Sequence, residues 1–160
     1  MLIKGLVDED FVNYKKPSMF ISSCACDWKC CTESNIPIET CQNCELAQSP
    51  TIDISLESIY TRYINNPISK AIVIGGLEPM LQKEQFYDLI AYFRDNGCND
   101  DIVIYTGYEP NEISDFIERI KPFGNIIIKF GRFKPNHTPH YDEVLGIKLC
   151  SDNQRGVQIC

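Results

Sequence analysis

Four short runs, apolar almost throughout and separated by stretches of helical periodicity, constrain the fold more than any other feature of this sequence. Residues 19–23 (MFISS), 71–74 (AIVI), 102–105 (IVIY) and 125–129 (NIIIK) each read as a strand. Strands without polar alternation are buried on both faces, which is the habit of parallel sheets. Between them, Leu56, Ile59, Tyr60, Tyr63 and Ile64 follow helical spacing, with Asp53 or Ser55 available as N-cap. Phe86, Leu89, Ile90 and Phe93 form a second stripe closed by Gly97, and Ile113, Phe116, Ile117 and Ile120 a third, capped by Asn111 and stopped at Pro122. Strands alternating with helices predict an α/β domain spanning residues 1–160 around a mostly parallel sheet. One or two further strands are expected in the final third. That is too few for an eight-stranded barrel, so a partial open (β/α) barrel or a curved open sheet is expected. In either, function gathers at the C-terminal ends of the strands.

Charge and cysteine usage narrow the chemistry. The net charge is −7 with no basic tract, which argues against a nucleic-acid partner bound through its phosphates. No run approaches the ~18 apolar residues of a membrane span, and the first ten residues lack the apolar stretch of a signal peptide. A cytoplasmic protein without a membrane partner is expected. Nine cysteines in a reducing compartment point to metal binding or catalysis rather than disulfides. Six of them, Cys24, Cys26, Cys30, Cys31, Cys41 and Cys44, fall within residues 24–50, which read as an irregular polar loop following the first strand. A loop of that length in a small domain is usually functional.

Cys26 and Cys30 make a C-x3-C pair, and Cys41 and Cys44 follow across the loop. Thiolates converging from one loop are the usual ligands of iron–sulfur clusters. Three of them on a four-iron cluster leave one iron open to a substrate, much as a catalytic zinc keeps a free position. Spacing alone equally suits a closed site of Cys26, Cys30, Cys41 and Cys44, holding structural zinc or a fully ligated cluster. Cys24 and Cys31 read as spectators, since adjacent residues such as Cys30 and Cys31 do not easily aim both sulfurs at one cluster. Cys98, Cys150 and Cys160 read as packing or surface residues.

Four segments give the chain a family resemblance: the loop ending Cys41-Gln42-Asn43, then Gly75-Gly76-Leu77-Glu78-Pro79, then Ile104-Tyr105-Thr106-Gly107-Tyr108, then Ser151-Asp152-Asn153-Gln154. In order and in strand-end placement they resemble the activating proteins of anaerobic ribonucleoside-triphosphate reductases, short members of the radical S-adenosylmethionine (radical SAM) superfamily. The resemblance covers about residues 19–159. It implies a radical SAM fold with a [4Fe–4S] cluster on Cys26, Cys30 and Cys41. It also implies S-adenosylmethionine bound near Asn43, Gly75, Gly76, Glu78, Thr106 and Asn153. The implied activity is reductive cleavage of S-adenosylmethionine to a 5′-deoxyadenosyl radical, which abstracts hydrogen from a backbone glycine. The implied partners are the large subunit of the reductase and a flavodoxin- or ferredoxin-type electron donor. The chain departs from the family pattern in four places, one being Thr40 where an aromatic usually precedes the third cysteine. The usual C-x3-C-x2-C would put its third cysteine at position 33, which is Glu33, so the third ligand is carried to Cys41. Leu77 shifts the acid of the Gly-Gly motif by one, and Lys129 stands where the family shows Asp.

Other residues have plainer readings. Gly75 and Gly76 also suit an ordinary strand–helix turn, and Thr106, Ser151, Asn153 and Gln154 also suit turn positions. Trp28 and Phe20 read as packing, His137 and His140 as a solvated loop, and Asp8, Glu9 and Asp10 as a solvated acidic face.

Overall fold

The computed structural model describes residues 1–160. Its centre is a six-stranded sheet. Strand β1 (Leu2–Ile3) lies outside it, paired with β4 (Ile52–Asp53). In the sheet, β2 (Gly5–Asp10) is antiparallel to β3 (Ser18–Ser22), and β3, β5 (Ala71–Gly75), β6 (Asp101–Tyr105) and β7 (Ile126–Phe130) run parallel. A last strand, β10 (Arg155–Gln158), closes the order antiparallel to β7, while β8 (His140–Asp142) and β9 (Ile147–Leu149) form a separate hairpin. The mixed α/β class and the mostly parallel sheet agree with the sequence reading.

Burial on both faces explains why the four central strands are apolar. Met19, Ile21, Ile72, Ile74, Ile102, Ile104, Ile126 and Ile128 pack on one face against three helices. These are α3 (Leu56–Ile64), α4 (Lys83–Asp95) and α5 (Ser114–Ile120). On the other face Ala71, Val73, Val103 and Ile127 meet Tyr14, Leu145 and Leu149, from the β2–β3 connection and the β8–β9 hairpin. Each fully buried Ile stabilises by about 1.5–3 kcal/mol, far more than a solvent-screened surface ion pair such as Lys83–Asp115. The apolar strands therefore determine the architecture.

The sheet is open, with β2 and β10 as its edges, which is the open-sheet form of the two expected. The structure differs from the expectations in three respects. Residues 24–50 are not wholly irregular: they contain α1 (Lys29–Ser34), a 3₁₀ turn at Ile38–Thr40 and α2 (Cys44–Gln48). Asn111 does not cap the third stripe. It lies inside a 3₁₀ turn, Pro110–Glu112, whose reciprocal box joins Glu109 and Glu112, and α5 starts only at Ser114. The acidic run lies on edge strand β2, where Asp8 takes both Arg62 nitrogens at 2.5 and 2.7 Å. Ser55 is the N-cap of α3, accepting from the Ser58 amide, and Gly97 follows α4 at φ 82°, both as expected. No helix is long and apolar enough to cross a membrane.

Candidate metal centre

The chain leaving β3 is pinned before it reaches the cysteines. The Ser23 amide and hydroxyl both donate to the Gly75 carbonyl, at 2.8 and 3.0 Å. The Cys24 amide donates to Gln82 Oε1 at 2.6 Å, and the Ala25 carbonyl accepts from the Glu78 amide at 2.8 Å. Trp28 then adopts a left-handed conformation, φ 58°, and its amide donates to Cys26 Sγ at 3.4 Å. Cys30 follows in the first turn of α1, and Cys41 follows the Ile38–Thr40 turn.

Cys26, Cys30 and Cys41 are all half-buried. Burial pushes the Cys26 thiol up to about 11, opposed by the Trp28 amide, and pushes Cys30 up to about 12, with the charges of Cys31 and Cys41 adding to it. The three expected ligands thus share one electrostatic neighbourhood. Cys31 shares it too. Its buried thiol lies 3.8 Å from Cys30 Sγ, and it is raised first by burial and then by the charges of Cys41, Cys26 and Cys44. Reading Cys31 as a bystander understated how closely the helix turns the two sulfurs together. No three Cys, His, Asp or Glu side chains converge tightly enough to hold a single metal ion. The donor chemistry nonetheless fits a thiolate-ligated group: desolvated thiols are costly to ionise alone, and a bound cationic centre removes that cost. Cys98 belongs to the helix-side core, and Cys150 and Cys160 are exposed.

The strand ends complete the site. Gly76 sits at φ 77°, a left-handed conformation that favours glycine, and a Cβ there would stand 2.8 Å from Leu46 Cδ2 of α2. Asn43 Nδ2 donates to the Gly76 carbonyl at 2.6 Å. Glu78 is 7% exposed. Its Oε1 accepts from the Met80 amide at 3.0 Å and the Thr106 hydroxyl at 2.7 Å, and its Oε2 from the Gly107 amide at 2.9 Å. Burial raises the Glu78 carboxyl above the usual range, and these three bonds oppose the rise. Four of the expected residues are therefore joined directly, Asn43 with Gly76 and Glu78 with Thr106. Asn153 is not bonded to either: its Nδ2 donates to the Arg132 carbonyl at 2.8 Å, and its buried Oδ1 has no partner. It lines a polar cleft of about 450 Å³ together with Glu33, Arg132 and Arg155.

Sequence reasoning passed over Glu112 and Arg132 beside this centre, and gave no role to Lys129, Tyr108 or Glu33. Lys129 is buried at the end of β7, donates to the Gly131 carbonyl at 2.8 Å, and is pulled down to about 8 by desolvation. A single lysine in an otherwise apolar strand was the available signal. Tyr108, Glu112 and Arg132 stand at the ends of β6 and β7 and meet Asp27, Lys29 and Glu33 of the cysteine loop. Glu33, at the position of the usual third cysteine, lies with its carboxylate 3.4 Å from Arg132 Nε.

A family model described as a 4Fe-4S single cluster domain matches residues 15–155. No curated protein and no solved structure matches the chain.

Proposed function

The chain belongs to the 4Fe-4S single cluster domain family, and from that premise we propose that it is a radical SAM activase that generates a glycyl radical on an anaerobic ribonucleotide reductase. Cys26, Cys30 and Cys41 would hold the cluster and leave one iron open. When bound, such a cluster would supply the electron for reductive cleavage of S-adenosylmethionine, chemistry that a glycyl-radical activase directs at a backbone glycine of its partner. A flavodoxin- or ferredoxin-type protein would deliver the electron. In this reading residues 1–160 act as one cytoplasmic domain.

The observation that carries the reading is the stitching of the cysteine segments to the strand ends through Asn43–Gly76 and Glu78–Thr106. A carboxylate offers about four acceptor sites; Glu78 uses three on Met80, Thr106 and Gly107. The fourth suits the ammonium group of S-adenosylmethionine. Thr106 fixes the Glu78 carboxylate in place. Asn153 would reach the same ligand from the β7 side with its unpartnered Oδ1.

A second reading is a structural site of Cys26, Cys30, Cys41 and Cys44, since Cys44 opens α2 directly after the turn that presents Cys41. The two readings separate in a turnover assay. After anaerobic reconstitution with iron and sulfide, the proposal requires reductant-dependent 5′-deoxyadenosine formation from S-adenosylmethionine. Stoichiometric zinc uptake with no such product rejects it.

A further inference from the structure

Helix α1 carries Cys30 but has only six residues, too few to be stable alone. Something must hold it, and the polar side chains around it form a ring that does. Tyr108 Oη donates to Asp27 Oδ2 at 2.6 Å. Lys29 Nζ lies 4.0 Å from the centroid of the Tyr108 ring and 3.8 Å from Glu112 Oε1. Glu112 receives both terminal Arg132 nitrogens, at 2.9 and 2.7 Å. The Arg132 guanidinium lies 5.3 Å from the same tyrosine ring, and its Nε faces Glu33 at 3.4 Å, close enough for an ion pair but without a hydrogen bond. Tyr108 is thus flanked by two cations, an arrangement that aromatic faces favour.

The ring has a direction. Asp27, Lys29 and Glu33 are on the loop, on both sides of Cys30. Tyr108, Glu112 and Arg132 are on the segments leaving β6 and β7, which are anchored in the core. Arg132 is central to it: its side chain is only 12% exposed, and its planar fork matches the Glu112 carboxylate in a way lysine cannot. We propose that Tyr108 and Arg132 are positioning residues that dock the Cys26–Cys30 segment onto the ends of β6 and β7, and so fix where those two sulfurs stand. The proposal rests on the reading of Cys26 and Cys30 as cluster ligands, but its first test does not.

That test is amide exchange on the full chain as purified anaerobically, in the wild type and in Arg132→Met, Arg132→Lys and Tyr108→Phe. Arg155→Met, whose guanidinium bonds only Glu109, serves as control. Exchange across residues 29–34 is expected to quicken about tenfold in Arg132→Met, with a smaller effect in Arg132→Lys and Tyr108→Phe and none in the control. Strands β5, β6 and β7 should keep their protection. Unchanged exchange at residues 29–34 in both Arg132→Met and Tyr108→Phe overturns the proposal, as does equal quickening in the strands, which would mark general destabilisation. In the reconstituted protein, Arg132→Met should also shift the g-values of the reduced cluster, with partial recovery in Arg132→Lys. A wild type that takes up no cluster rejects the proposed function, while the exchange result still decides the docking role.

Discussion

Glu78 carries its carboxylate to a place where burial opposes ionisation and three donors favour it. Glu78→Gln keeps an acceptor for Thr106 and Met80 but turns an N–H₂ toward the Gly107 amide, leaving buried donors unpaired. It should destabilise the chain by about 1–3 kcal/mol in urea denaturation and weaken S-adenosylmethionine binding. Lys129 presents the opposite case, since its pKa falls from 10.5 to about 8 through burial. Between those values the folded chain binds fewer protons at this site than the unfolded chain, so rising pH favours folding there. Below about 8 the full cost of the buried ammonium applies. Lys129→Met should therefore raise stability at pH 7 by on the order of 3 kcal/mol. The advantage should shrink as pH rises toward 10.5, read as the wild-type-minus-variant difference so that buried tyrosines cancel. Glu78 could be singled out from Gly75-Gly76-Leu77-Glu78-Pro79, but its bond to Thr106 could not, because it joins residues 28 apart through the neighbouring strand.

At the scale of elements, periodicity revealed what was long enough to show it. Helices α3, α4 and α5 carry full apolar stripes and appeared where expected. Helices α1 and α2, of six and five residues, span barely more than one turn and leave no period to read. Their stability comes from outside, which is why the loop could only be read as irregular. The antiparallel edges were equally hidden: β2 reads GLVDED and β10 reads RGVQ, neither with the continuous apolar run of a buried strand. The junction of α2 with β5 yields a specific expectation at Gly76. Gly76→Ala imposes a left-handed backbone, costing about 1–2 kcal/mol by itself. It also brings a Cβ within 2.8 Å of Leu46 Cδ2, so the Leu46 side chain must give way beside the Asn43–Gly76 bond. Reduced iron uptake alongside lowered stability is the expected result; stability loss with normal uptake would separate α2 from the metal centre.

Across the whole molecule, a core formed on both faces of one open sheet fixes the strand ends, and the chemistry-bearing segments gather there. The position of the centre at the C-terminal ends of parallel strands was legible because wholly apolar strands imply that topology, and the topology implies that edge. The choice between a partial barrel and an open sheet was not, since it depends on the two polar edge strands and on a hairpin of three-residue strands filling the second face. The central claim is that three thiolates hold a four-iron cluster with one iron open to S-adenosylmethionine. Its most direct test is electron paramagnetic resonance of the reconstituted, reduced protein, recorded with and without S-adenosylmethionine. The account predicts a [4Fe–4S]⁺ signal whose g-values change when S-adenosylmethionine is added, lost in Cys41→Ser and kept in Cys44→Ser. A cluster signal indifferent to S-adenosylmethionine, or one that needs Cys44 as much as Cys41, would contradict it.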